Sequence, residues 1–313
     1  MATNWKLDGV AMIIAQHGVF NTLEFPFVPV SWDIIPVSSF NATNINALAF
    51  GDALYVAAGN AGKIATASEG ITWMQRTSSF GSTPIYALGY FAGGTYVATG
   101  STGKLATSTN GTSWTQRTSS FGSSAILGIV YADNLSSYIA VGADGKLATS
   151  SNATSWTQRT SSFGTTFIRG VAYRSGITVA VGDDGKLATS TNGLTWTQRT
   201  SSFGLTRIYG VMASSSKFIA FGAAGKLASS TDGINWTPVV FSSFGSSDIR
   251  SVAVAPNGVY AAAGADGKIA TSFDGVSWVQ RTSAFGTSQI NAIYIGTQRS
   301  IAAGDSGKIA LSV

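Results

Sequence analysis

A short block of the form Gly-Lys-(Ile/Leu)-Ala-(Thr/Ser)-Ser recurs down almost the whole chain, and its Gly-Lys pair appears seven times. The lysines are Lys63, Lys104, Lys146, Lys186, Lys226, Lys268 and Lys308, spaced 41, 42, 40, 40, 42 and 40 residues apart. A fixed period in this range means one supersecondary unit copied many times. Seven copies fill nearly all of the 313 residues, which argues against two unrelated domains.

One copy reads as four strands. Ile126 to Tyr131, Tyr138 to Gly142, Lys146 to Ser150 and Trp156 to Thr160 are runs of strand length, rich in apolar, β-branched and aromatic residues, with turn signals between them. Between the second and third runs the chain reads Gly142-Ala-Asp-Gly145, and elsewhere Gly59 to Gly62, Gly182 to Gly185 and Gly304 to Gly307. Two residues bracketed by glycines suit a tight hairpin with positive φ. Between the third and fourth runs the pattern is Ser-x-(Asp/Asn/Glu)-Gly-x-x-Trp, as in Ser230 to Trp236 and Ser272 to Trp278. There an Asp or Asn side chain can bond its own backbone two residues on. Asn152 is followed by Ala153, where the other copies have glycine.

Four short antiparallel strands copied seven times predict an all-β, seven-bladed β-propeller. The ends predict closure. The last copy stops at Val313 with its third strand and lacks a fourth, whereas Trp32 and Val37-Ser-Ser-Phe40 carry the missing fourth-strand signature at the front of the chain. A strand near residues 31–37 therefore completes the final blade, which an open solenoid would not need. The organisation expected is an N-terminal segment, 1–30, and a propeller, 31–313.

The turn-plus-tryptophan pattern resembles the Asp-box, or bacterial neuraminidase repeat, of β-propellers. Ser230, Asp232, Gly233 and Trp236 fill its roles, as do Ser272, Asp274, Gly275 and Trp278, with one residue fewer between Asp and Trp than the common box. Asn110, Asn152 and Asn192 stand in for the Asp in three copies and Glu69 in a fourth. The wider pattern is similar to propellers of photosystem II assembly factors and sialidases. It is more similar to uncharacterised virion and tail proteins of tailed bacteriophages with Ser/Thr-rich repeats. The resemblance implies fold rather than activity. It implies a structural or adhesive part of a phage particle, in the tail or a tail appendage, partnered by other virion proteins and by host-surface polysaccharide.

Composition narrows the chemistry. Charged residues are 11% of the chain, against roughly 25% in ordinary soluble domains, which suits a particle or extracellular component. With no cysteine and one histidine, His17, thiolate metal sites are excluded, and no metal or cofactor is expected. No apolar run reaches the roughly 18 residues of a membrane span. Val10 to Ala15 is too short for a usual signal peptide, so synthesis in the host cytoplasm is the expectation. Sialidase-like hydrolysis needs a tyrosine partnered by a carboxylate and an arginine triad. Arg169, Arg207 and Arg250 fall on or beside first strands, but no partner carboxylate is evident, and the uniformly short loops build no lid. No enzymatic activity is expected. Two rings of repeated Lys and Arg lack the interleaved aromatics of single-strand binders, so nucleic acid is not an expected partner.

Positions that vary among copies are free of blade-building. The residue after the first-strand isoleucine is one: Asn46, Tyr86, Leu127, Arg169, Tyr209, Arg250 and Asn291. Of these, Asn46, Tyr86, Arg169, Tyr209, Arg250 and Asn291 are the candidate ligand-binding residues, at one mouth or on the channel wall, and they make a saccharide-binding lectin the alternative function. Residues 1–30 carry Trp5, Phe20, Phe25 and Phe27, too apolar for a disordered tail, and are read as a docking segment for a partner.

Overall fold

A computed structural model of the chain describes residues 28–312, apart from 36–37, 92 and 297–298. Trp5, Phe20, Phe25 and Phe27 lie outside the described residues. The described chain is all β, and its only helical pieces are single 3₁₀ turns. Blade 1 comprises Ile45–Gly51, Leu54–Gly59, Ile64–Ala67 and Met74–Arg76, paired antiparallel in chain order. Four further blades repeat this as separate four-stranded sheets, and the sixth and seventh are fused into one eight-stranded sheet. Each innermost strand packs beside the innermost strand of the next blade, and Ile290–Ile295 of blade 7 returns to Ile45–Gly51 of blade 1. The ring is closed with seven blades.

The strand order follows from polarity. Third strands such as Leu105–Ser108 are buried along their whole length, sandwiched between neighbouring blades. Fourth strands such as Thr115–Arg117 carry polar residues that are exposed or half-buried and are three residues long in most blades, too short to offer a partner a useful edge. The cores lie between blades. Trp73 packs with Ile301 and Leu311 of blade 7, and Trp114 packs with Val56 of blade 1. The repeated tryptophans fill inter-sheet space.

Closure is tighter than the sequence implies. The strand Ser31–Ile34 pairs antiparallel with Ile309–Ser312, with Asp33 opposite Leu311 and Ile34 opposite Ala310. Its first half also pairs parallel with the outer strand of blade 6, Ser31 opposite Thr282 and Trp32 opposite Ser283. One four-residue strand thus completes blade 7 and rivets it to blade 6. Trp32 is 1% exposed in the core between them, and Val28 packs against the same core. The end of the N-terminal segment therefore lies on the ring.

Linkers between blades are held by a repeated clamp. Ser119 Oγ donates to the Gly103 carbonyl at 2.6 Å, tying the linker back to its own blade. The Phe121 side chain is buried at 1% exposure, and its carbonyl accepts from Lys146 Nζ at 2.8 Å, tying it forward to the next. All seven repeated lysines make this bond, to Phe40, Phe80, Phe121, Phe163, Phe203, Phe244 and Phe285. Arg76, Arg117, Arg159, Arg199 and Arg281 each donate through Nε to a third-strand threonine. The basic rings are thus copied because they build the blade.

The glycine-bracketed turn differs from the expected two-residue hairpin. It is a 3₁₀ turn, Asn60–Gly62 in blade 1, in which Ala61 (φ 53°) and Gly62 take the left-handed region. Gly59 is extended at φ −162°. It is glycine because a Cβ there would sit 2.1 Å from the Asn44 carbonyl oxygen.

The Ser-x-Asp turn behaves as read. Asp232 Oδ1 accepts from the backbone N–H groups of Ile234 and Asn235, both at 2.8 Å, while Trp236 Nε1 donates to the Gly233 carbonyl. Asn110 does the same work with an amide oxygen. The backbone and side-chain donors of Asn235, with the Ile234 N–H, hold the Asp232 carboxyl well below the usual carboxylate range. At Asp274 burial opposes ionisation, and the donors from Ser277, Val276 and Ser272 outweigh it. Carboxyls depressed in the fold contribute stability that is present above the unfolded value of about 3.9 and lost as pH falls through the folded value. Asp232→Asn with Asp274→Asn should flatten the fall in melting temperature between neutral pH and the acid limb. It should change little at neutral pH, because asparagine already holds three of these turns. An unaltered acid limb in calorimetry would contradict this account of the turns.

Candidate functional site

The seven variable first-strand residues share one local structure. In every blade the pairing between first and second strands slips by one residue there: between Ile45 and Ala47, Ile85 and Ala87, Ile126 and Gly128, and so around the ring. Asn46, Tyr86, Leu127, Arg169, Tyr209, Arg250 and Asn291 are therefore bulge residues. A bulge leaves its extra residue unpaired and re-aims its side chain. All seven are half-buried at the same level of the ring. The next residue is always small (Ala47, Ala87, Gly128, Gly170, Gly210, Ser251, Ala292), because the inner strands converge. A Cβ on Gly170 would lie 2.8 Å from Gly210 Cα. This column of small residues was a legible signal that the sequence reading missed.

The bulge residues divide by chemistry. Asn291 Nδ2 donates to the Ile45 carbonyl of blade 1 at 3.0 Å, and Asn46 Nδ2 to the Ile85 carbonyl of blade 2 at 2.8 Å. Both amides are spent stitching blades together. Tyr86 and Leu127 give blades 2 and 3 an aromatic and aliphatic sector. The charged groups gather on blades 4 to 6. Arg169 forms a two-pronged ion pair with Asp183 of the adjacent 3₁₀ turn, and Arg207 reaches the same carboxylate from the next blade at 2.7 Å. Tyr209 donates its hydroxyl to Asp248 at 2.8 Å, Arg250 meets that carboxylate at 3.2 Å, and the Arg250 guanidinium lies 3.9 Å from the Tyr209 ring centroid.

Burial pushes the Asp183 carboxyl up, but Arg169 and Arg207 outweigh it and hold it below its ordinary value. A carboxylate claimed by two guanidiniums, as Asp183 is, makes a poor ligand for a hard cation. Among the described residues no group of three metal-ligating side chains occurs. The missing tyrosine partner is also found. It is Asp248, which the fold brings to Tyr209 from the neighbouring blade.

The rest of this face is basic. The 3₁₀ turns, the seven lysines and the five fourth-strand arginines stand at the same end of every blade, as the pairing of Leu105 with Arg117 beside Lys104 shows. With Arg169, Arg207 and Arg250, fifteen Lys and Arg lie at this end among the described residues, against six acids: Asp144, Asp183, Asp184, Asp248, Asp266 and Asp305. Apolar departures from the repeat join the arginine sector. Phe167 lies under Arg169, with 5.6 Å from the guanidinium to its ring. Leu205, at 87% exposure, stands where other copies have Ala, Ser or Thr.

Residues 123–239 match the family described as the DUF6242 beta propeller domain. No curated protein matches the sequence. Among solved structures, catalytically inactive virginiamycin B lyase from Staphylococcus aureus with quinupristin is similar at a TM-score of 0.79 and 11% identity, over 90% of this chain and 99% of that one. YCF48 bound to D1 peptide is similar at a TM-score of 0.71 and 19% identity, over 92% and 96%. YCF48 from Cyanidioschyzon merolae is similar at 0.68 and 17%, over 90% and 98%. These likenesses establish the fold. They also correct one expectation from the sequence: virginiamycin B lyase is an enzyme built on the same ring, so the architecture does not exclude catalysis.

Proposed function

We propose that this propeller is a binding platform whose basic mouth receives an acidic segment of a partner protein, as a structural or adhesive component of a bacteriophage tail or tail appendage. The observation that carries the binding role is the concentration of three arginines on blades 4 to 6, with two carboxylates between them, inside a face that is already strongly basic. Such a face attracts anionic partners over distance, and guanidiniums then give oriented, two-pronged contacts to carboxylates. Arg207, with 47% of its side chain exposed, is the member most open to a partner. YCF48 with its D1 peptide supports the reading at the level of fold, as a propeller solved with a peptide bound. Placement in a virion is supported by the resemblance of the Ser/Thr-rich Asp-box repeats to tail proteins and by the low charge content. In this reading residues 1–30 dock the ring to the particle.

Titration with an oligoglutamate peptide tests the mouth. Binding should weaken with salt, as screening requires, and by about tenfold in Arg207→Ala with Arg250→Ala. Equal affinity for oligolysine, or none for either peptide, would remove the acidic-partner reading. Mass spectrometry of purified particles tests placement, and absence of the chain would end the virion assignment. Deleting residues 1–30 leaves the closing strand from Ser31 intact, so a truncated ring that still enters particles would refute docking through that segment.

A further inference from the structure

At the opposite end of the inner strands lies a cavity of about 540 Å³, where the first hairpins of blades 5 and 6 meet the end of the inner strand of blade 7. We infer that this cavity is a binding site for a neutral saccharide.

Its lining combines aromatic faces with hydroxyls. Phe273 forms one wall and is 65% exposed. The equivalent residues in the other turns are Ser68, Thr109, Ser151, Thr191 and Thr231, so an exposed phenylalanine here is a departure that blade-building does not require. Tyr294 forms a second wall and is held by ring contacts to Phe50 and Tyr55, with centroids 5.4 and 5.6 Å away. Between them the hairpin Ser214-Ser215-Ser216 supplies hydroxyls, and Tyr260 donates to Ser214 Oγ at 2.9 Å. Aromatic faces that pack on apolar C–H surface, beside hydroxyls that both donate and accept, match the two-sided chemistry of a sugar ring. The volume is within the roughly 300–1,000 Å³ of small-molecule pockets.

Neutrality of the ligand follows from the surroundings. Among the described residues no Asp, Glu, Lys, Arg or His lines the cavity. The nearby cations are committed to backbone carbonyls: Arg174 to Ser215 and Thr231, and Lys217 to Asp274. The Asp274 carboxylate is held by its own turn. An anionic sugar would find no counter-charge here, in contrast to the basic mouth on the other face.

The test is an array of neutral oligosaccharides, followed by saturation-transfer NMR of the strongest hit against the full chain. The wild type should bind a neutral saccharide. Phe273→Ser, which installs the residue found in two other blades, should weaken binding about tenfold or more, the scale of losing one aromatic anchor. Arg207→Ala on the opposite face should leave it unchanged, so this site and the acidic-partner mouth fail independently. No binding to any neutral sugar at millimolar concentration, binding that survives Phe273→Ser, or loss of sugar binding in Arg207→Ala would each overturn the assignment. Selective binding of N-acetyl-tryptophanamide in place of sugars would overturn it in favour of a peptide side chain.

Discussion

Trp32→Ala is expected to lower stability by about 3–5 kcal/mol, the range for truncating a fully buried aromatic. The melting temperature should fall by about 10 °C for a chain of this size. The effect is large because Trp32 does two jobs. It is 1% exposed in the core between blades 6 and 7, and it sits on the strand whose halves pair with different blades. Losing its packing loosens the seam that closes the ring. Trp114→Ala removes the same side chain type from a half-exposed site within a continuous stretch of chain and should cost clearly less. Chemical denaturation of the two variants checks the comparison, and equal losses would mean that the seam contributes nothing special. Deleting residues 1–36 should go further, because the outer edge of Ile309–Ser312 then has no partner and the pairing that joins blade 7 to blade 6 is lost with it.

Gly145→Ala should cost about 2–5 kcal/mol, as the sum of a left-handed backbone and a steric overlap. Gly145 has φ +63°, and a Cβ there would lie 1.9 Å from the Gly164 carbonyl oxygen. That oxygen belongs to the linker clamped onto the turn, so the chain cannot yield without releasing Ser161 from the Gly145 carbonyl. Gly164 is the internal control. Its φ is +64°, and nothing lies within 4 Å of its Cβ position. Gly164→Ala should therefore show only the conformational part, about 1–2 kcal/mol. Urea unfolding of both variants measures the difference, and matching values would show that close approach of the linker is not what requires Gly145.

The clamp explains why these copies stay so alike. Phe121, Lys146, Ser119 and Gly103 each touch backbone of a neighbouring segment, so changing one orphans another. The bulge residues touch their surroundings through side chains alone, and they are where the copies diverge. Asn46 and Asn291 show that divergence is not always recognition, since their amides are committed to neighbouring carbonyls. Their sequence positions match those of Arg169 and Arg250, and only the bond partners separate the two cases.

The linear order of residues determined the blade count, the strand order within each blade, the Asp and Asn turns and the strand borrowed for closure. All of these are local or periodic: a turn needs a few adjacent residues, a strand needs an alternation, and a repeat needs only its period. Tertiary structure alone decided which side chains meet. Asp183 lies between Arg169 and Arg207, Asp248 meets Tyr209 and Arg250, and Phe273 and Tyr294 line one cavity. Each of these groupings joins residues from different blades, and its geometry depends on the angle between adjacent sheets and on a one-residue slip in pairing. Neither quantity is written in any single repeat.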